Sequence, residues 1–381
     1  MKELSECRVL IVDDVKANID VLVQALREDH KLSIALDGEA ALRTIEKNPP
    51  DLVLLDIVMP GLDGYEVCRR LRSDPKTREL PIMFLSSLED VCDKTRGFEA
   101  GGNDYLTKPF EVLEVKARVR SLLKAKAYSD EVKERSTAEL RIAREIQMGL
   151  LPADVAAVAQ KSRLDISALL EPATEIGGDF YDVIPLRDGR VLVVVGDVSG
   201  KGIPAALFMA VTMTLIRSAA RQFTSPDQIA RQVNTALCAH NPRGMFVTLF
   251  CCIVDTVKMT LCYANAGHPS PVLLRPGEAP SLPFDSTSTP VGVFDILDTE
   301  AGWEDFRPGD GVVIYTDGVT EAFNDTGALL TGKGLIASLV AAAGKNSSAI
   351  TLCASNAVRQ HVGSHPQSDD ITILTLAFPL K

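Results

Sequence analysis

"EIGGDFYDVIPLRDGRVLVVVGDVSGKG", residues 175–202, sets Asp179, Asp182 and Asp197 beside paired glycines and around the apolar run Val191 to Val195. Two chemistries use such a pattern: a glycine loop that cradles a nucleotide phosphate, or a carboxylate centre that holds metal. A P-loop needs glycine, four residues, Gly-Lys, and then a hydroxyl residue that reaches magnesium. Counting back from Gly200-Lys201 puts Val195 at the first glycine position, and Gly202 follows the lysine. The P-loop fails at both places. The metal alternative requires more carboxylates from elsewhere in the chain.

Around this stretch, residues 153–381 are rich in strand-like runs, among them "LDISALL", "MFVTLFCCIVD", "LCYANAG", "GVVIYTDG" and "DITILTLAF". Helix-like segments follow near 203–222, 227–240 and 332–361, and "RDGR" is a hairpin signal. Strands and helices grouped in this way predict an α+β domain. Trp303 reads as a strand-edge aromatic, and "PGEAPSLPFDSTSTP" as a surface loop. Residues 7–124 differ in texture. Short apolar runs ("CRVLIV", "LSIAL", "DLVLLD", "PIMFL", "DYLTK") alternate with amphipathic segments of helical period. That alternation predicts a doubly wound parallel sheet, with its site at the carboxyl ends of the strands.

Between the two, Glu111 to about Leu151 reads as helix, broken at most at "YSDEV". Leu140, Ala143, Ile146 and Leu150 form an a/d seam, which suits either a coiled-coil dimer or packing onto the helix's own domain. The expected organisation is therefore domain 1–124, helical linker 125–152 and domain 153–381. A hydrophobic share of 46 % excludes a mostly disordered chain. A net charge of −11, with no basic excess in either domain, argues against nucleic-acid binding. No apolar run approaches the roughly 18–20 residues of a membrane span. "MKELSECRVL" does not read as a signal peptide, so the expected location is the cytoplasm. The eight cysteines form no Cys-x-x-Cys pair and read as reduced core residues.

Both domains carry carboxylates at strand ends. In the first, Asp13-Asp14 and Asp56 end strands one and three; if these strands are neighbours, three negative charges share a pocket. A magnesium ion and Lys108 would neutralise them, making Asp56 a phosphoryl acceptor, and Ser86 could hydrogen-bond the new phosphoryl oxygen. "VDD", "LLDIVMPGLDG", "FLSS" and "DYLTKPF" together resemble a response-regulator receiver domain across residues 7–124. The resemblance implies Asp56 as phosphoacceptor, Asp13 and Asp14 on magnesium, Ser86, Tyr105 and Lys108 as switch and charge residues, and a sensor histidine kinase as partner. Ser86 replaces the commoner threonine and keeps the hydroxyl.

In the second domain, Asp317 of "YTDGVTEAF" and Asp369-Asp370 of "SDDITIL" join Asp179 and Asp197. With no histidine or cysteine among them, the set favours magnesium or manganese over zinc or copper. Four carboxylates balance two dications, which can activate a water and clamp a phosphate. "GGDFYDV", "GDVSGKGIPAAL", "NAGHPSPVLL", "YTDGVTEA" and "SDDITIL" are similar to the SpoIIE-type branch of the PPM metal-dependent serine/threonine phosphatases, over about residues 150–378. That resemblance implies an αββα sandwich with a two-metal Mn²⁺ or Mg²⁺ centre between its sheets. Asp179, Asp197, Asp317 and Asp369 become ligands, with the Val198 carbonyl in the place of a ligating glycine; Asp370 could exchange roles with Asp369. Larger PPM enzymes carry a histidine after their Asp-Gly, whereas Val198-Ser199 follow Asp197 here, so the leaving-group proton comes from water or elsewhere. His268 of "AGHP" is a candidate substitute, set against a loop-bracing role.

The helix "ELRIAREIQMGLLP" resembles the linker of this phosphatase type, which implies a homodimer and control of the active site. The expected function is a receiver-regulated protein phosphatase acting on a phosphoserine or phosphothreonine protein. The resemblance points to an anti-anti-sigma factor of the STAS type as substrate, and so to control of a sigma factor. The alternative is a catalytically weak adaptor that binds a regulatory partner. Intact carboxylates speak for the enzyme, because an adaptor has no use for charges that repel each other without metal.

Overall fold

The computed structural model describes residues 3–87, 97 and 99–380, which divide into two compact units, Met1–Ala138 and Glu139–Lys381. The first unit contains β1 (Arg8–Val12), α1 (Lys16–Leu26), β2 (Lys31–Ala35), α2 (Gly38–Lys47), β3 (Leu52–Asp56), α3 (Gly64–Ser73), β4 (Ile82–Ser86) and β5 (Asp104–Thr107). Its strands run parallel in the order β2-β1-β3-β4-β5. Val9, Ile11, Leu54 and Leu85 pack on one face with Leu22, Val115 and Val119, while Leu10, Val12, Leu55 and Phe84 pack on the other with Ile45 and Val67. Helices on both faces are why the central strands read as continuous apolar runs. Asp37 and Asp63 cap α2 and α3 through the amides of Ala40 and Glu66, each at 2.7 Å.

Helix α4 runs from Val112 to Leu150 without interruption, so "YSDEV" does not break it; Lys126 and Asp130 instead form an i,i+4 ion pair there. Leu151-Pro152 follows its end, as the sequence indicates. Within the single chain the seam residues differ in burial. Leu140, Ala143 and Leu150 are half-buried, but Ile146 is 65 % exposed and Gln147 takes the inward position. A spacing of three, four and three residues (140, 143, 147, 150) matches the 3.6-residue period better than the apolar residues do.

The second unit continues with α5 (Val155–Ser162), β6 (Asp165–Glu171), β7 (Phe180–Pro185), β8 (Val191–Val198), α6 (Ile203–Ala219), α7 (Pro226–Cys238), β9 (Val247–Asp255) and β10 (Thr260–Ala266). It ends with β11 (Val272–Leu274), β12 (Gly302–Asp305), β13 (Gly311–Tyr315), α8 (Asp317–Thr320), α9 (Thr331–Leu339), α10 (Ser347–Val362) and β14 (Ile371–Ala377). Two antiparallel sheets result, β12-β10-β9-β8-β7 and β11-β13-β14-β6.

Strand β8 shows how the layers arise. Val191, Val193 and Val195 enter the core between the sheets with Val312, Ile314, Leu374 and Leu376. Leu192 and Val194 point the other way, into a core with Met209, Met213, Ile229 and Val233 of α6 and α7. On the far side, Val313, Tyr315, Ile371 and Ile373 pack against Leu335, Leu339, Ile350 and Ala354. The layers are α, β, β and α, as the resemblance implied. Trp303 lies on edge strand β12 and is exposed. The Pro-rich segment is not wholly a surface loop: Phe284 is fully buried and meets Phe250 and Tyr263 edge-on, at 5.7 and 5.1 Å. One aromatic side chain of this size outweighs the polar residues around it. Cys68, Cys238, Cys251, Cys252, Cys262 and Cys353 are free, and Cys251 and Cys252 are buried in opposite cores; Cys92 lies outside the described residues.

Phe250 also stacks on Tyr263 at 5.9 Å, so its truncation leaves a cavity between the sheets. Phe250→Ala should destabilise the second unit by about 3–5 kcal/mol, and Phe250→Leu by clearly less. Urea unfolding followed through Trp303, the chain's single tryptophan, checks this; equal midpoints for wild type and Phe250→Ala would contradict the packing described.

Candidate metal centres

In the first unit, β1 and β3 are neighbours, so Asp13 and Asp14 just past β1 meet Asp56 at the end of β3. One carboxylate oxygen from each lies within 4.8 Å of the others. Lys108, which follows β5, places Nζ 2.8 Å from both Asp13 and Asp56. Asp13 is also held by the Val15 amide at 2.8 Å and the Asn18 side-chain amide at 3.0 Å. Burial raises the Asp56 carboxyl above its ordinary pKa, and the hydrogen bond from Lys108 only partly offsets it. Burial alone would pull the Lys108 ammonium down, but its bonds to Asp13 and Asp56 outweigh that and leave it raised.

Ser86 ends β4, buried, and its carbonyl accepts from the Lys108 amide at 2.7 Å. Tyr105 is buried on β5 against Phe84, its hydroxyl 3.1 Å from that of Tyr65. The sequence reading missed Gly64. A Cβ there would stand 2.2 Å from the Asp56 carbonyl, so only glycine lets the chain fold back over the strand end.

In the second unit, Asp179 precedes β7, Asp197 lies near the end of β8, Asp317 opens α8 after β13, and Asp369-Asp370 precede β14. Both sheets therefore contribute. Asp179 is buried, and its Oδ2 accepts from the hydroxyls of Thr316 and Thr372, each at 2.7 Å. Those threonines were not singled out from sequence; each sits beside a singled-out aspartate, which is the signal that could have found them. Asp197 lies beside Asp179. Burial, then the charges of Asp317 and Asp369, push Asp197 up to about 7. Burial, then Asp197, push Asp179 well above the carboxylate range despite its two threonine donors. Asp317 is raised by burial, Glu321 and Asp369. This centre is looser than the first: among the described residues, only Asp13, Asp14 and Asp56 bring three carboxylate oxygens within 4.8 Å. At its edge, Lys201 Nζ lies 3.0 Å from Asp369 Oδ2.

Asp370 and Asp182 are engaged elsewhere. Asp370 Oδ1 accepts from the Ala173 amide at 2.8 Å, and Oδ2 from those of Gly178 at 2.7 Å and Asp179 at 3.4 Å. This carboxylate folds the Gly177-Gly178-Asp179 turn around itself. A Cβ at Gly177 would stand 2.0 Å from Asp370 Oδ2, and one at Gly178 would stand 2.9 Å from the Val198 carbonyl. The paired glycines thus bring the backbone close to both. Asp182 is buried in an ion pair with Arg217 at 2.6 Å, and Arg217 also donates to the Leu150 carbonyl at 2.6 Å, closing the end of α4. One turn earlier, Gln147 donates to the Gly177 carbonyl at 2.6 Å and accepts from the Gly177 amide at 3.3 Å. His268 is buried with Nδ1 2.9 Å from Thr248 Oγ1, and burial drives its pKa down to about 3. The Thr248 contact ties the "AGHP" turn to β9.

Both donor sets are all-oxygen and both carry uncompensated negative charge, which fits magnesium or manganese. Residues 187–379 match the family Stage II sporulation protein E (SpoIIE), and residues 9–120 match the response regulator receiver domain. The chain belongs to the SpoIIE family and carries a receiver domain ahead of the family's conserved region. Response regulator PleD of Caulobacter vibrioides is 41 % identical over 136 residues, covering 35 % of this chain and 30 % of that protein. Response regulator MprA of a Mycobacterium species is 44 % identical over 118 residues, 31 % of this chain and 50 % of that one. The chain thus spans half or less of these curated relatives. The solved SiaA-PP2C domain of Pseudomonas aeruginosa covers 65 % of this chain and 98 % of its own, with a TM-score of 0.58 and 23 % identity, a likeness of fold.

The raised carboxyls give a signed pH dependence. Folded Asp197 keeps its proton up to about 7, whereas an unfolded aspartate loses it near 3.8. The metal-free second unit should therefore lose stability as pH rises between these values, the folded state binding more protons throughout the window. Asp197→Asn should flatten that slope, and so should saturating Mn²⁺, which replaces the proton as the compensating charge. Trp303-monitored urea midpoints at pH 4.5 and 7.5 check it; a midpoint in metal-free wild type that rises over this interval relative to Asp197→Asn contradicts it.

Proposed function

We propose that this SpoIIE-family chain is a metal-dependent protein serine/threonine phosphatase of a two-component pathway, regulated by phosphorylation of its receiver. The observation that carries the reading is the convergence of Asp179, Asp197, Asp317 and Asp369 from two sheets, with Asp179 and Asp197 driven above the carboxylate range. Asp179, Asp197, Asp317, Asp369 and the Val198 carbonyl would hold two Mn²⁺ or Mg²⁺ ions. Asp370, saturated by amide donors, would shape the turn that carries Asp179. When bound, the metals supply an activated water and a clamp for the phosphate.

The chain's own residues do the positioning. Thr316 and Thr372 fix one oxygen of Asp179 and leave the other for the centre. With His268 neutral and enclosed, the leaving seryl oxygen would take its proton from water. The substrate would be a phosphoserine or phosphothreonine protein, with a STAS-type anti-anti-sigma factor the reading favoured by the linker and the sequence motifs, and a sigma factor controlled downstream. Among the described residues no helix is long and apolar enough to cross a membrane, in keeping with a cytoplasmic role.

In the receiver, Asp56 would accept a phosphoryl group from a sensor histidine kinase, with Asp13 and Asp14 holding Mg²⁺ and Lys108 balancing the added charge. Ser86 and Tyr105 would respond to it. Helix α4 would carry the response, because its last turns hold Gly177 through Gln147 and end on Arg217; homodimerisation through this helix is part of the proposal.

Two experiments test the reading. Phosphoserine-protein hydrolysis should be abolished by excess EDTA, restored by Mn²⁺, and reduced about a hundredfold or more in Asp197→Asn or Asp317→Asn, the scale on which loss of a charge-stabilising group acts. Undiminished turnover in EDTA would count decisively against a metal-dependent enzyme. A small-molecule phosphodonor with Mg²⁺ should add one phosphoryl group to wild type and none to Asp56→Asn, as read by intact-mass spectrometry. Stoichiometric labelling of Asp56→Asn would remove Asp56 from its assigned role.

A further inference from the structure

We infer that Lys201 is the internal counter-ion of the second carboxylate centre, and that metal loading releases it to the phosphate of the substrate. The inference rests on the metal-centre reading above. Lys201 Nζ is 3.0 Å from Asp369 Oδ2 and donates to the Ser368 carbonyl at 2.7 Å. Its charge also reaches Asp317. The ammonium thus occupies the side of the centre where two of the four acids lie, doing there what Lys108 does between Asp13 and Asp56.

The two lysines differ in how they are held. Lys108 is largely enclosed and bonded to two buried acids, whereas the Lys201 side chain is 58 % exposed and its carboxylate partner 45 %. An exposed pair of this kind is weak and readily exchanged. A dication among the same carboxylates repels the ammonium and competes for Asp369. Lys201 also stands between Gly200 at φ +88° and Gly202 at φ +71°, and a Cβ at either position would meet nothing within 4 Å. The backbone on both sides has room to turn, and the lysine stem is flexible.

Gly202 caps the N-terminus of α6, so Lys201 adjoins the positive end of a 17-residue helix. Once its carboxylate partner is taken by metal, the ammonium is a free donor beside that helix end, at the edge of the centre that the phosphate must enter. Arginine would keep the charge and the pairing, and methionine would keep only the stem.

The test uses the full chain with Asp13→Asn and Asp14→Asn, which silences the first centre, and compares Lys201 with Lys201→Met and Lys201→Arg. Circular dichroism confirms folding, and the arginine variant supplies a second reading if the methionine variant is unstable. Free Mn²⁺ is followed by electron paramagnetic resonance, and binding of inorganic phosphate to the Mn²⁺-loaded protein by broadening of its ³¹P signal. Lys201→Met should bind Mn²⁺ about threefold to fivefold more tightly and inorganic phosphate about tenfold more weakly. Lys201→Arg should stay close to the parent in both. An Mn²⁺ affinity that is unchanged or weaker in Lys201→Met overturns the inference, and so does an unchanged phosphate affinity. Absence of Mn²⁺ binding in the parent would overturn the metal-centre reading along with it. Normal Mn²⁺ and phosphate behaviour without turnover of phosphoproteins would sink only the functional reading.

Discussion

Like charges brought together out of water repel, and each unit of this chain is organised around one such group of aspartates. Where the compensation comes from decides how the surrounding structure is built. In the receiver it is covalent to the fold: Lys108 is wedged between Asp13 and Asp56 at hydrogen-bond distance, and the parallel sheet exists as a platform on which three strand ends and one lysine meet. Among the described residues of the second unit, no enclosed lysine does this. Asp179 is raised by burial and by Asp197, and Asp197 by burial, Asp317 and Asp369, with threonine hydroxyls on one side and a loosely held ammonium on the other. Such a centre is at its most strained when all its acids are ionised, which is the state in which it attracts a dication most strongly.

Much of this was legible in the sequence because the pattern and the physics coincide. Continuous apolar strands followed by acids predicted a parallel sheet with acids on one edge, and the register of β1 on β3 brings Asp13 and Asp56 together. The alternation of Val191, Val193 and Val195 with Leu192 and Val194 is the signature of a strand covered on both faces. What stayed hidden depends on contacts across long stretches of chain. Thr316, just past β13, and Thr372, in β14, look ordinary until the fold sets them on Asp179, more than a hundred positions away. Asp182 looked like one more acid of the opening stretch; its partner Arg217 sits on a helix whose apolar face gave no hint of it. Ile146 is exposed in the single chain, and the polar Gln147 takes the buried position because a backbone amide and carbonyl are there to receive both ends of its side chain.

The turn at Gly177-Gly178-Asp179 gathers these contacts. Asp370 holds it from inside through backbone amides, the Val198 carbonyl approaches Gly178, and Gln147 closes it from the helix. Glycine is required there for lack of space more than for backbone conformation, since a side chain at Gly177 would collide with the carboxylate that organises the turn. The stretch that opened the reading is therefore dense because two jobs overlap in it: presenting Asp179 and Asp197, and anchoring the helix that arrives before them.

Helix α4 is continuous from Val112 to Leu150, but its support is uneven along its length. Val115, Val119 and Leu123 are buried at one end, and Gln147, Leu150 and Leu151 are fixed at the other, whereas every residue from 131 to 139 is exposed. A free helix shorter than about 12–15 residues is marginal in water, so these middle turns persist because the packed turns on both sides keep them in phase. Opening them disturbs neither core. The middle turns, held besides by the Lys133–Glu79 ion pair, are thus where amide protons should exchange with solvent ahead of the rest of the helix.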